Sequence, residues 1–203
     1  DSWLDLAQAQ FMPIVTKVRE AKGGPGGEEG GEEIPHLPDV LAILPLRGVV
    51  IYPLTAVPLT VGQPRSVKLV DDAAVGQRII GLVTSRNPEL EMPGPDDLYR
   101  VGTAAQVLRL FRAPDGTIRL VVQGLNRFKI EEFVEVDPYL RARVTFAPES
   151  AIEEGIELEA LMRNVMDQFQ RFAELMPSLP AELLASALSV DDARQLVYGI
   201  ATY

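Results

Sequence analysis

His36 is the one histidine of this chain, and any Ser-His-Asp triad would have to use it. It lies between Pro35 and Leu37, just after the stretch GGPGGEEGGEE at 23–33. A catalytic site needs a pre-organised scaffold, and a residue beside such a linker lacks one. The four lysines, Lys17, Lys22, Lys68 and Lys129, sit in no recognisable nucleophile context and read as solvated surface. Acidic neighbours occur at Asp71-Asp72, Asp96-Asp97, Glu131-Glu132, Glu153-Glu154 and Asp191-Asp192. Residues adjacent in sequence point away from each other on a strand or helix, so these pairs do not make paired catalytic acids. Asp96-Asp97 and Asp191-Asp192 read instead as cap and turn residues. Without cysteine or a second histidine a metal site is not expected. The glycines of 23–33 make no phosphate loop, because carboxylates follow them where Lys and Ser/Thr would be needed. Catalytic residues, metal ligands and a resident cofactor are therefore all expected to be absent.

Apolar loop residues offer a different chemistry. Tyr52-Pro53-Leu54 and Leu90, Met92 and Pro93 fall in segments that read as loops. An adaptable apolar surface suits an unfolded polypeptide, and a methionine suits an adaptable surface. The competing reading is a satellite cluster tucked under the loops.

The elements that must position these residues change character along the chain. Residues 1–38 form an arm with helix-compatible apolar spacing up to Val18, then the Gly/Glu linker. From Asp39 short apolar runs with turn signals predict strands at Leu41–Leu46, Ala56–Val61, Ile79–Thr84, Thr103–Arg112, Thr117–Gln123, Arg127–Val134 and Tyr139–Phe146. Pro45, Pro53 and Pro58 confine the first two to edges or ends. Pro114-Asp115-Gly116 marks a hairpin, and Ser66–Val75 reads as a short helix. Many short strands predict a small barrel or folded sheet over 39–147.

Over 150–203 the period becomes helical. Ser150 and Glu153 form a capping box. Leu158, Met162, Val165, Phe169, Phe172 and Met176 follow as one apolar stripe on a long helix, suited to packing and weak self-association. Pro177 should end it, Pro180 should open a second helix, and Ser189 with Asp192 should cap a third. Phe169 and Phe172 are expected to pack on Leu183, Leu184 and Leu188. The pattern Leu196, Val197, Ile200, Ala201 is unfinished at Tyr203, as at a cut boundary. The class is α+β, a β-domain followed by a helical subdomain.

Net charge is −10, concentrated in residues 1–38 and 149–182, while 39–148 is close to neutral. An acidic surface repels phosphate backbones, which argues against nucleic acid as the main partner. The basic residues Arg109, Arg112, Arg119, Arg127 and Lys129 read as a solvated strand face, with Phe111 and Phe128 in core positions and no stacking platform. No apolar run reaches the ~18 residues of a membrane span, and no secretory leader is visible. With no cysteine, the chain suits the cytoplasm.

Six short motifs occur in order: LPLRGVVIYPLTAVPLTV at 44–61, VGQPRS at 61–66, DLYRVGT at 97–103, PDGT at 114–117, VQGLNR at 122–127 and LEALMRN at 158–164. Together they resemble the N-terminal substrate-recognition domain of Lon, the bacterial ATP-dependent protease family, from about Asp39 to Tyr203. The resemblance implies a PUA-like β-domain and a helical subdomain that recognise unfolded or misfolded polypeptides. It also implies a parent that is a homohexameric quality-control protease. Its ATP, Mg²⁺ and Ser-Lys chemistry would lie outside this chain, leaving the fragment without enzyme activity. Two alternatives stay open. One is a stand-alone interaction protein built from this domain alone; the other is a PUA-like RNA-binding protein, whose binding would weaken steeply with salt.

Overall fold

A computed structural model describes residues 37–147, 152, 155–175, 190 and 192–201. Six strands form one mixed sheet: β1 (Val40–Leu46), β2 (Ala56–Val61), β3 (Ile79–Thr84), β4 (Val101–Arg112), β5 (Ile118–Glu135) and β6 (Arg141–Phe146). Among the described residues three helices accompany it: α1 (Pro64–Val75), α2 (Ile156–Leu175) and α3 (Ala193–Ala201). The order is β2-β5-β4-β3-β1-β6, and β6 also pairs with β5, so the ladder runs back to the strand near which it began. Among the described strands only β1 and β3 run parallel. They are joined through β2 and α1, the kind of long connection that a parallel pair requires.

Alternation in the strands builds two cores. Leu44 and Leu46 enter one, with Leu69 and Val70 of α1 and Ile118, Leu120 and Val122 of β5. Leu41 and Ile43 enter the other, with Phe128, Ile130 and Leu140. Thus β5 serves both, and its pairing with β4 shifts register between Ala104 and Ala105, where Leu125 is left over. Gly124-Leu125-Asn126, which reads as a break between two strands, is instead a bulge inside one 18-residue strand. A glycine in a strand marks a bulge as often as an end.

Helix α1 begins with Pro64 in its first turn, a position where the missing N–H costs nothing. Helix α3 starts at Ala193, and Asp192 is its cap: Asp192 Oδ1 accepts from the N–H groups of Arg194 and Gln195, both at 2.9 Å. This agrees with the reading of Asp192 as a cap residue, since a short side-chain acceptor satisfies the free N–H groups of a first turn. Ser189, Ser150, Glu153, Met176, Pro177, Pro180, Leu183, Leu184 and Leu188 lie outside the described residues, as do the arm up to His36 and Tyr203.

Candidate functional site

Strands β1 and β3 end side by side, with Leu46 opposite Thr84, and β4 begins beside them. The segment from Arg47 to Thr55 crosses this end of the sheet without regular structure, yet its carbonyls are held from below. Thr84 Oγ1 donates to the Val49 carbonyl at 2.6 Å, and the buried Thr103 Oγ1 donates to the Ile51 carbonyl at 2.7 Å. Ile51 itself is core. At the far end Leu54 N–H donates to the Gly124 carbonyl and Gly124 N–H donates to the Thr55 carbonyl, both at 2.9 Å. Thr55 Oγ1 closes the turn on the Tyr52 carbonyl at 2.7 Å.

Two residues show how tightly this segment is fitted. Leu54 is held at φ +64°, a left-handed conformation that costs a branched residue about 1–2 kcal/mol. The Tyr52 backbone passes so close to Gly124 that a Cβ there would overlap its carbonyl oxygen. The glycine in the VQGLNR motif is therefore a contact requirement of the loop. Gly102, in DLYRVGT, has a similar role deeper in the sheet, where a Cβ would lie 2.5 Å from the Leu82 carbonyl and 2.8 Å from the Phe128 ring.

A second segment, Arg86 to Tyr99, reaches the same end. Ser85 Oγ donates to the Asn87 carbonyl at 2.8 Å, and Arg86 Nε to the Leu98 carbonyl at 3.1 Å. Asp97 Oδ2 accepts from Gly94 N–H at 2.8 Å, as expected of a turn carboxylate. Leu98 plugs the second core, and the Arg86 guanidinium lies 4.9 Å over the Tyr99 ring. Gln63 Nε2 donates to the Glu91 carbonyl, tying this segment to the start of α1.

The expected loop patch is only partly assembled. Leu54 and Met92 are exposed, Met92 by 65%. Tyr52 and Leu90 are half-buried, and the Tyr52 ring stacks on Tyr198 of α3 with centroids 5.4 Å apart. Pro93 is buried, and it lines a cleft of about 300 Å³. That cleft runs between Leu44–Arg47, Leu59–Gly62 and the Glu91–Pro93 turn. The structure adds Val49, Val50, Tyr99 and Val101 to the exposed apolar surface of this end. A signal for the first two was present: in RGVVIYP one residue, Ile51, goes inward, and its neighbours cannot all follow it.

The long helix also departs from expectation. Its buried or half-buried positions are Leu158, Met162, Met166, Phe169 and Ala173. Val165 and Phe172 are exposed, Phe172 by 49% against 7% for Phe169. At 100° per residue both stripes are nearly straight, and they share three members. The contact with α3 selects the one turned toward Met166. That leaves Leu161, Val165, Phe172 and Leu175 as a second, bare apolar face.

Among the described residues several charges form exposed pairs. Arg112 holds both oxygens of Asp71, at 2.6 and 2.7 Å, and Lys68, Arg141 and Arg143 pair with Asp72, Glu135 and Glu132. The hydroxyl of Thr117 and then its backbone N–H hold the Asp115 carboxyl below its ordinary value, which fixes the hairpin. Tyr139 titrates above its ordinary value through desolvation and its hydrogen bond to Asp72. Phe128 is core as expected, but Phe111 is exposed, since β4 extends past the core toward its hairpin. Among the described residues no group of three His, Cys, Asp or Glu stands close enough to hold a metal, and no helix is long and apolar enough to cross a membrane. The arrangement presents an anchored apolar surface and a cleft.

Residues 40–203 match the family model of the ATP-dependent protease La (LON) substrate-binding domain. The chain is 44% identical over 165 residues to a Lon protease of Dictyoglomus thermophilum, covering 81% of this chain and 21% of that protein. It is 44% identical over 176 residues to Lon protease 1 of Herpetosiphon aurantiacus, covering 85% and 22%. It therefore spans about a fifth of the length of these curated relatives. In fold it is similar to the N-terminal domain of a Mycobacterium avium complex Lon protease, with TM-score 0.60 and 22% identity over 81% of this chain and 83% of that one. It is also similar to a Lon N-terminal domain protein of Xanthomonas campestris, with TM-score 0.50 and 24% identity over 80% and 97%.

Proposed function

Because this chain belongs to the family of Lon substrate-binding domains, we propose that its anchored apolar end holds unfolded protein substrates for a protease to which the domain is joined. The observation that carries this reading is the exposed set Val49, Val50, Leu54, Met92, Tyr99 and Val101, mounted on segments hydrogen-bonded to the sheet beneath. Exposed apolar residues gathered on a fixed support mark an interaction site, and a methionine among them adapts to varied partners.

In this reading the parent is a cytoplasmic homohexamer whose ATP, Mg²⁺ and Ser-Lys chemistry belong to other domains. The relatives' name of Lon protease and the family's description as ATP-dependent support the protease and ATP parts of it. The PUA-like view of the β-domain, over about 39–147, is supported by the return of strand pairing from β6 to β5.

Unfolded casein offered to the pure chain with ATP tests the proposal. Casein is expected to bind with a Kd of roughly micromolar or weaker, because one small patch must offset the ordering of a flexible chain. Both casein and ATP are expected to remain intact. Leu54→Asp with Met92→Asp should weaken binding about tenfold or more with little change in Tm. Normal binding by the double variant would show that the patch is wrongly placed, and turnover of casein or ATP above a mock preparation would show that the chain is an enzyme after all.

A further inference from the structure

Among the described residues, strand β2 has β5 on one side and no strand on the other, and it is the terminal strand of the sheet order. Its register against β5 pairs Ala56 with Gln123 through to Val61 with Ile118. The bond from Gly124 N–H to the Thr55 carbonyl sets the phase of this ladder, so Val57, Leu59 and Val61 turn their backbone groups toward β5. Ala56, Pro58 and Thr60 then turn theirs outward. The proline agrees with this, since it has no N–H to give and is tolerated where no ladder bond is needed. Two N–H groups and three carbonyls thus face away from the sheet along one edge.

The Thr60 end of that edge borders the cleft described above. Leu59–Gly62 form one wall, and Leu44–Leu46 of β1 with Arg47 form the other. Strand β1 is paired with β6 only over Val40–Ala42, so its last residues also have a strand on one side alone. Val49 and Pro93 line the same cleft, and their neighbours Val50 and Met92 belong to the exposed apolar end.

We infer that β2 is a strand-addition site: an extended segment of the substrate pairs its backbone with Ala56, Pro58 and Thr60 while its alternate side chains reach the apolar end. This rests on the proposed function above and names the form in which the substrate is held. Backbone groups are what all unfolded chains share, so an edge of this kind recognises an extended polypeptide without reading its sequence. An open edge is also a hazard for self-pairing, and β2 carries the usual restraints. It is only six residues long, and Pro58 removes the middle donor.

The test offers the whole 203-residue chain two synthetic peptides of about ten residues with the same alternating valine and threonine side chains. One is unmodified and the other is N-methylated at every residue. N-methylation should weaken binding about tenfold or more. Saturation with the unmodified peptide should slow hydrogen exchange at the amides of Ala56 and Thr60. Binding of both peptides within about twofold, or unchanged exchange at those two amides, overturns strand addition. If that occurs while Leu54→Asp with Met92→Asp still abolishes binding, the apolar end stands without the edge. If the unmodified peptide does not bind at all, the substrate reading falls together with it.

Discussion

The segment Arg47–Thr55 and the helix α2 differ in a way opposite to their secondary structure. The segment has no regular hydrogen bonding of its own, but Thr84, Thr103 and Gly124 bind its backbone and Ile51 roots it in the core. The helix satisfies its backbone internally over 20 residues, and among them only Phe169 is fully buried. Regularity and fixation are separate properties. An irregular stretch held by buried side chains presents its exposed residues at fixed positions. A regular helix held through one face leaves the rest of its apolar residues to find a partner.

The sharpest break of this contrast is at Gly124. A valine there would drive its side chain into the Tyr52 carbonyl, and the segment would have to leave the sheet. Gly124→Val is expected to cost roughly 4 kcal/mol and to weaken casein binding. Urea melts and titration with casein check both, and a variant as stable as the parent would mean that the segment is far looser than described.

On the helix the effect should depend on the face. Phe169→Ala should cost about 3 kcal/mol in the stability of the helical part, whereas Phe172→Ala should cost less than about 1 kcal/mol. Hydrogen exchange of the α2 amides in the two variants reads this directly. Equal losses would mean that both rings are packed.

The smallest expected effect is association. The bare face of Leu161, Val165, Phe172 and Leu175 is expected to draw copies of this chain into a weak monomer–dimer equilibrium, as the apolar spacing of this helix suggests. Sedimentation over a concentration series should show it, and Leu161→Glu should abolish it. A concentration-independent hexamer would instead place assembly in this domain.

Much of the scaffold could be read from residue order because alternation is a local property. Strands β2 and β3 have the bounds their apolar runs predict, and α1 differs by its first turn. Strand β5 was harder, since a glycine that reads as an end is a bulge forced by a distant segment, 52-53-54, pressing against it. The buried face of the long helix was legible only in part, for another reason. Leu158, Met162 and Phe169 fit two faces, and only the position of α3 chooses between them. Exposure was legible where it follows from loop character, at Leu54 and Met92. It was not at Pro93, which faces a cleft made by three other elements, nor at Tyr52, whose ring meets Tyr198.

Strand β5 has a consequence for how the chain is made. Its partners include β2, β4 and β6, and the residues of β2 meet theirs only about sixty positions later in the sequence, a separation of the sort that slows folding. On a ribosome, Ala56–Val61 emerges well before Ile118–Gln123 exists to receive it. For that interval β2 is an unpaired apolar stretch on a nascent chain. It is then of the same kind as the segments that the finished domain is proposed to hold.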